Sequence, residues 1–209
     1  MIGELVGFVA PALVGATLGA THAPDSVMVL ALTVAGMIEG LALGVTQRRV
    51  LARHVPEIDG RAWVLATVSA AGFAWFVGMG GGALMEAGIE PGWLPVILLV
   101  PAWIAALLAM GWAQWTVLRR AIPNSGRWVT VTAGAWFLGV SIPVVALSIT
   151  PNSSPPALFI VVGVISAVLM GLTVGTITGR TLAGLLDART VNTHGADDSY
   201  ATNPLGSVR

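Results

Sequence analysis

The chain has 209 residues, of which 56% are hydrophobic and only 10% are charged, and its mean hydropathy is +0.85. Ten acidic and ten basic residues balance to a formal net charge of zero, which removes the electrostatic basis for binding nucleic acid. Cysteine is absent, which excludes disulfides, thiolate metal sites and cysteine nucleophiles.

Hydropathy divides the chain into six apolar segments, each long enough to cross a bilayer as a helix. In chain order they cover residues 2–20, 27–46, 62–84, 93–114, 128–149 and 157–178. The first lacks the basic start of a secretory signal peptide, since its only early side-chain charge is Glu4, so we expect it to be retained as a helix. The predicted fold class is all-α, a polytopic membrane protein whose six transmembrane helices occupy residues 1–186. Residues 187–209 are polar and lack an apolar period, which predicts a disordered cytoplasmic tail.

The basic residues, all of them arginines, lie on one side of the predicted helices. They fall between the second and third helices, between the fourth and fifth, and after the sixth: Arg48, Arg49, Arg53, Arg61, Arg119, Arg120, Arg127, Arg180, Arg189 and Arg209. This positive-inside bias predicts a plasma-membrane protein with both termini in the cytoplasm, which an even number of spans allows. Trp63 and Trp128 follow two of the basic loops, and this position is typical of tryptophans that anchor a helix at the headgroup level.

A repeated helix ending accompanies the arginines. Aligned without gaps, residues 44–56 and 111–123 share glycine, glutamine, valine, leucine, arginine and proline at matching positions. A fainter third copy aligns Gly171 and Gly175 with Gly40 and Gly44 of the first. The pattern predicts three tandem helical hairpins, about residues 1–56, 57–123 and 124–186, that enter the membrane in the same direction.

Glycines at a spacing of four predict where the helices touch. Lipid provides no hydrophobic force between helices, so a close approach of backbones across small residues holds them together. The predicted helix-packing glycines lie in the second and sixth helices: Gly36, Gly40, Gly44, Gly171, Gly175 and Gly179.

Three side chains form a candidate intramembrane polar site: Glu39, Gln47 and Gln114. A charged Glu39 would cost at least about 2.5–3.5 kcal/mol inside the bilayer, so its carboxyl should be protonated, paired or facing water. It is either a site coupled to protons or cations, or a structural carboxyl hydrogen-bonded across helices. Gln47 and Gln114 occupy equivalent repeat positions and are expected to clamp neighbouring helices, with substrate binding as the alternative.

Signatures of catalysis are missing from the sequence. We find no serine–histidine–acid arrangement and no HExxH motif, and the glycine run at residues 78–82 lacks the lysine of a phosphate-binding loop. His22 and Asp25 share a loop but are too few to hold a metal. The sequence therefore predicts no catalytic residues, no metal and no cofactor.

The element GWAQWTVLRR at residues 111–120, followed by GRWV at 126–129, resembles a pattern in uncharacterised multi-pass membrane proteins of bacteria. The resemblance covers the second to fifth helices and implies membership of that class, without an activity, cofactor or site residue. The first copy departs from the pattern, because Arg48 stands where the second copy has Trp115.

Two functions are consistent with these features. The nearly apolar spans favour a non-enzymatic helical-bundle component or accessory subunit, whose partners are the lipid bilayer and other membrane proteins or further copies of itself. The alternative is a small-solute or ion transporter that uses Glu39, although transporters usually carry polar, interrupted helices around a site near the bilayer midplane.

Overall fold

The computed structural model describes residues 7, 10–15, 17–18, 21–88, 92–151 and 153–201, with residues 190–201 described by their backbone alone. The regular elements in this part of the chain are helices. The first, α1, comprises the helical residues at 7, 10–15 and 17–18. The others are α2 (Asp25–His54), α3 (Gly60–Glu86), α4 (Trp93–Leu118), α5 (Arg127–Ser148) and α6 (Pro156–Ala201).

The helices α2 to α6 are long and apolar enough to cross a membrane, and they are the five helices within the described residues that meet this condition. This all-helical, apolar architecture agrees with the predicted class of multi-pass membrane protein. The first predicted span, residues 2–20, lies largely outside the described residues. The remaining predicted spans each fall on one observed helix.

Local chemistry explains where α2 ends and α3 begins. Helix α2 stops at His54 because Val55 precedes Pro56, and the proline ring pushes the preceding residue out of the helical region. Asp59 then caps α3, since its Oδ1 accepts hydrogen bonds from the backbone N–H groups of Arg61 and Ala62, both at 3.0 Å. The short, rigid turn between the two helices follows from this proline and this cap.

Helix α6 is longer than the sequence indicates, because it continues to Ala201. The predicted disordered tail begins at residue 187, so the helix boundary differs from the expected one. Part of the reason lies in a contact that the sequence does not reveal. Arg189, inside the predicted tail, bonds to Glu57 in the loop between α2 and α3, so the helix makes a contact beyond its apolar portion.

The helices pack in chain order, with α2 against α3, α3 against α4, α4 against α5, and α5 against α6. Helix α1 lies on α2, where Gly7 meets the backbone of Glu39 and Gly15 faces Leu32. At one end of the bundle, the ends of α2 and α4 and the starts of α3 and α5 converge on an apolar cluster that contains Leu51, Val55, Ile58, Trp63, Val117, Leu118, Ile122, Trp128 and Leu185. We call this the basic end, because the arginines of both intervening loops lie there.

Burial is uneven along the hairpin of α5 and α6. The buried residues of α5 end at Gly139, and α6 has none before Ser166. Beyond these points the hairpin exposes large apolar side chains, among them Ile149 at 75% and Ile160 at 67%. The half of this hairpin away from the basic end therefore presents apolar surface of the kind that lipid covers.

Candidate functional site: two polar centres between the helices

A cluster of five polar or amphipathic side chains lies where α2, α3, α4 and α5 meet near the basic end. We call it the amide cluster, and it consists of Gln47, Trp63, Thr67, Gln114 and Trp128. Four of its members are almost completely buried, with exposures of 0% for Thr67, 1% for Trp63 and Gln114, and 3% for Trp128.

Each glutamine accepts a hydrogen bond from a tryptophan on the next helix. The indole Nε1 of Trp63 donates to Gln47 Oε1 at 3.1 Å, and that of Trp128 donates to Gln114 Oε1 at 3.2 Å. The two indole rings lie side by side, with centroids 6.2 Å apart and planes tilted by 57°. The same contact thus joins α2 to α3 and α4 to α5.

Gln114 links the two contacts. Its Nε2 donates to Gln47 Oε1 at 2.9 Å and to Thr67 Oγ1 at 3.1 Å, while its Oε1 accepts from Trp128. The Thr67 hydroxyl in turn donates a hydrogen bond to the carbonyl oxygen of Trp63 at 2.9 Å. Both N–H groups of the Gln114 amide are therefore used, which is what a buried amide in an apolar medium requires.

Glu39 lies in a second centre, together with Trp75 of α3. The indole Nε1 of Trp75 donates to Glu39 Oε2 at 2.8 Å, and the glutamate is only 8% exposed. Gly36 lies directly beneath the Trp75 ring, so closely that a methyl group there would clash with it. On the other side, a Cβ at Gly7 of α1 would stand 3.0 Å from the carbonyl oxygen of Glu39. Glycines thus bring α1 close to the backbone of Glu39 and the Trp75 ring close to α2.

The structure separates the predicted polar site into these two centres. It brings Gln47 and Gln114 into direct contact, but Glu39 lies eight residues before Gln47 on α2, a rise of about 12 Å. Each centre has its own tryptophan partner. The expectation that all three side chains share one site is therefore wrong, because the length of α2 between Glu39 and Gln47 keeps them apart.

Trp63 and Trp128 are predicted to anchor helices at the headgroup level, but both indoles are buried inside the bundle. They belong to the apolar cluster of the basic end and are 1% and 3% exposed, so they pack against protein rather than against headgroups. One signal in the sequence points to the actual arrangement. Trp63 and Trp128 follow the repeated glutamines at nearly the same distance, as expected for a pair of residues that repeats together.

The predicted packing glycines of α2 lie at close contacts. A Cβ at Gly40 would stand 2.7 Å from the Cβ of Ala71, and one at Gly44 would stand 3.2 Å from the Cα of Val64. With Gly36 beneath Trp75, all three lie against α3. Gly111 makes the corresponding contact in α4, where a Cβ would lie 2.7 Å from the carbonyl oxygen of Val129.

The predicted glycines of α6 behave differently. Gly171 is buried and Gly175 lines a cavity, but a Cβ at Gly179 would meet no heavy atom within 4 Å. Gly179 therefore does not form the helix contact that its spacing predicts, because it faces an opening between α6 and α2. Gly139 on α5, outside the predicted set, is tightly packed against Val174 of α6.

The basic end also carries charged contacts outside the bundle. Arg189 Nη2 lies 2.7 Å from Glu57 Oε1, and this hydrogen bond lowers the pKa of the Glu57 carboxyl below its ordinary value. The pKa of Asp59 is likewise lowered, first by the hydrogen bond from the Ala62 N–H at the start of α3. Both carboxylates are solvent-exposed and stay charged over the physiological pH range.

Two further observations bear on the chemistry of the site. Within the described residues, no three histidine, cysteine or carboxylate side chains come together as they would to hold a metal. No protein-family model matches the chain, and neither a curated protein nor a solved structure is significantly similar to it.

Proposed function

We propose that the chain is a non-enzymatic helical-bundle component or accessory subunit of the bacterial plasma membrane. The observation that carries this proposal is the amide cluster, in which Gln114 makes three interhelical hydrogen bonds and is 1% exposed. Side chains that bind a solute must present free polar groups to it. Gln114 instead directs each of its polar atoms at a neighbouring helix, which is the geometry of a clamp.

A second candidate, a small-solute or ion transporter that uses Glu39, has one observation in its favour. Glu39 is a buried carboxyl deep in α2, and such residues often mark ion pathways. The packing around it supports the structural role instead. The Trp75 indole donates to its carboxyl, and Gly7 and Gly36 bring α1 and the Trp75 ring close to it.

Proteoliposome flux separates the two candidates. The purified protein is reconstituted into vesicles that contain a pH-sensitive dye, and proton and alkali-cation flux is compared with that of the Glu39→Gln variant and of empty vesicles. We expect no flux above that of empty vesicles in either preparation. Flux in the native protein that the Glu39→Gln substitution abolishes would establish the transporter and overturn the clamp as its function.

We further propose that the bundle consists of three tandem hairpins, as the repeated sequence indicates. The contacts support this arrangement, because the pair of Gln47 and Trp63 recurs as Gln114 and Trp128. In the third copy, Thr178 takes the position of the glutamine, and its hydroxyl donates to the carbonyl of Val174 at 2.7 Å.

The buried hydroxyl of Thr132 on α5 also supports the proposal of three hairpins. Gln114 donates to Thr67, but the hydroxyl of Thr132, which matches Thr67 in the repeat, has no hydrogen-bond partner among the described residues. A glutamine at position 178 would supply the missing donor if the three hairpins are related by rotation. The Thr178 hydroxyl bonds within its own helix, to the carbonyl of Val174, and this supports the proposal that the third copy lacks the donor.

The proposed orientation has both termini in the cytoplasm, since the arginines of the two loops lie at one end of the bundle. Single cysteines test it, because the chain has none of its own. Cysteines at Ser26 and Ser154 should react with an impermeant maleimide added to intact cells, while one at Asp59 should react only after the cells are opened. The opposite labelling would reverse the orientation.

A further inference from the structure

A cavity of about 180 Å³ lies between α2 and α6, beside the amide cluster. Most of its wall is apolar and aromatic, and Leu43, Trp63 and Trp128 contribute to it. Gly179 and Thr178 form the side that belongs to α6. Because Gly179 has open space around it, the cavity reaches the surface of the bundle between the two helices.

One polar group of the cluster faces this cavity. Gln47 lines the cavity, and its Oε1 is turned inward, where it accepts hydrogen bonds from Trp63 and Gln114. Its Nε2 takes part in none of the hydrogen bonds of the cluster, and it is the atom left to face the cavity. A ligand that enters from the lipid would therefore meet an apolar wall and a hydrogen-bond donor, which selects for a carbonyl oxygen on an apolar chain.

A positive charge lies on the same face of α2, closer to the headgroups. Arg53 follows Thr46 of the cavity wall by seven residues, which returns a helix to nearly the same side. Its Cα lies about 9 Å beyond that of Gln47 along the helix, and its side chain is exposed. Arg189 of α6 is already paired with Glu57. Arg53 is exposed on the side of α2 that lines the cavity, so it is a cation available to a phosphate.

We propose that this cavity binds one glycerophospholipid from the leaflet at the basic end. An acyl chain lies against Leu43 and the two indoles, an ester carbonyl accepts a hydrogen bond from Gln47 Nε2, and the phosphate contacts Arg53. The apolar wall, the donor and the cation occur in the order in which a phospholipid presents its chain, ester and phosphate. This site does not depend on the clamp or transport roles discussed above.

The test measures lipid retained by the purified protein. The native protein and each variant are reconstituted with phosphatidylglycerol, extracted in mild detergent and weighed by native mass spectrometry. Gly179→Phe fills the cavity, while Gly163→Phe places the same side chain at another open position of α6. We expect one phosphatidylglycerol per chain in the native protein and in Gly163→Phe, and at least about tenfold less in Gly179→Phe. Arg53→Gln should weaken retention about fivefold.

Equal retention by the two phenylalanine variants would overturn the proposal, and so would an adduct lost from Gly179→Phe whose mass is not that of a glycerophospholipid. If Gly179→Phe does not elute as a single folded species, Gln47→Glu decides the question. That change keeps the oxygen that accepts from Trp63 but replaces the cavity-facing amide nitrogen. A folded Gln47→Glu protein that retains as much lipid as the native one would exclude the site.

Discussion

Replacing Gln114 by leucine tests the amide cluster directly. Leucine has a similar volume to glutamine and needs no hydrogen-bond partner in an apolar interior. The change therefore removes hydrogen bonds without leaving a large cavity. Three bonds are lost, those to Gln47 and Thr67 and the one accepted from Trp128. Gln47 and Thr67 keep other hydrogen bonds, but the buried N–H group of Trp128 loses the acceptor it has in the cluster.

The expected loss of stability follows from these changes. Side-chain hydrogen bonds between membrane helices contribute about 0.6 kcal/mol each, so three sum to about 2 kcal/mol. The orphaned indole N–H costs about 1–3 kcal/mol more, and the apolar leucine offsets part of this. We expect a free energy of unfolding lower by about 2–4 kcal/mol.

Equilibrium unfolding in mixed detergent micelles, followed by circular dichroism, measures this difference. The matched control is Thr116→Val on the same helix, since the Thr116 hydroxyl bonds to the carbonyl of Ala113 within α4 rather than across helices. The control should stay within about 0.5 kcal/mol of the native protein. If Gln114→Leu has the same free energy of unfolding as the control, the cluster does not stabilise the bundle, and the argument for a clamp fails.

Two further changes test other contacts. Gly36→Ala should lower the free energy of unfolding by about 1–3 kcal/mol, because the new methyl group displaces the Trp75 ring, whereas Gly78→Ala, which enters open space, should not destabilise the protein. The same unfolding assay measures both, and equal stability of the two variants would show that the ring moves aside freely. The pairing of Glu57 with Arg189 stabilises the folded state fully above the ordinary pKa of Glu57, and this contribution is lost as the pH falls through the lowered folded pKa. Melting temperatures of the native protein and Glu57→Gln should therefore converge in acid, and a difference that persists there would refute the assignment.

The helices and their order could be predicted from the sequence, because a bilayer imposes length and apolarity on each span. The predicted start of α4 coincides with the observed Trp93, and α5 agrees within one residue at each end. The end of α6 could not be predicted in this way, since Arg189 reaches Glu57 across a large separation in sequence. Hydropathy measures how apolar a segment is, and it carries no information about contacts between charged residues far apart in sequence.

The sequence identifies the glutamines and the glutamate of the polar centres but not the residues that bond to them. Repetition marks Gln47 and Gln114, whereas position alone predicts that the tryptophans bonded to them are headgroup anchors. An indole serves both purposes, since it has a large apolar body and one N–H donor. Only the packing of α2 against α3 and of α4 against α5 decides that these two indoles turn inward.

The uneven burial of α5 and α6 has a mechanical consequence. Their shared hairpin is held firmly near the amide cluster and projects beyond Gly139 with little protein around it. The nine residues that follow Gly139, as far as Ser148, extend about 14 Å, so this stretch is held by protein at one end only. If the surrounding bilayer thins or thickens, we expect this end of the hairpin to tilt more than the buried end beside Trp128.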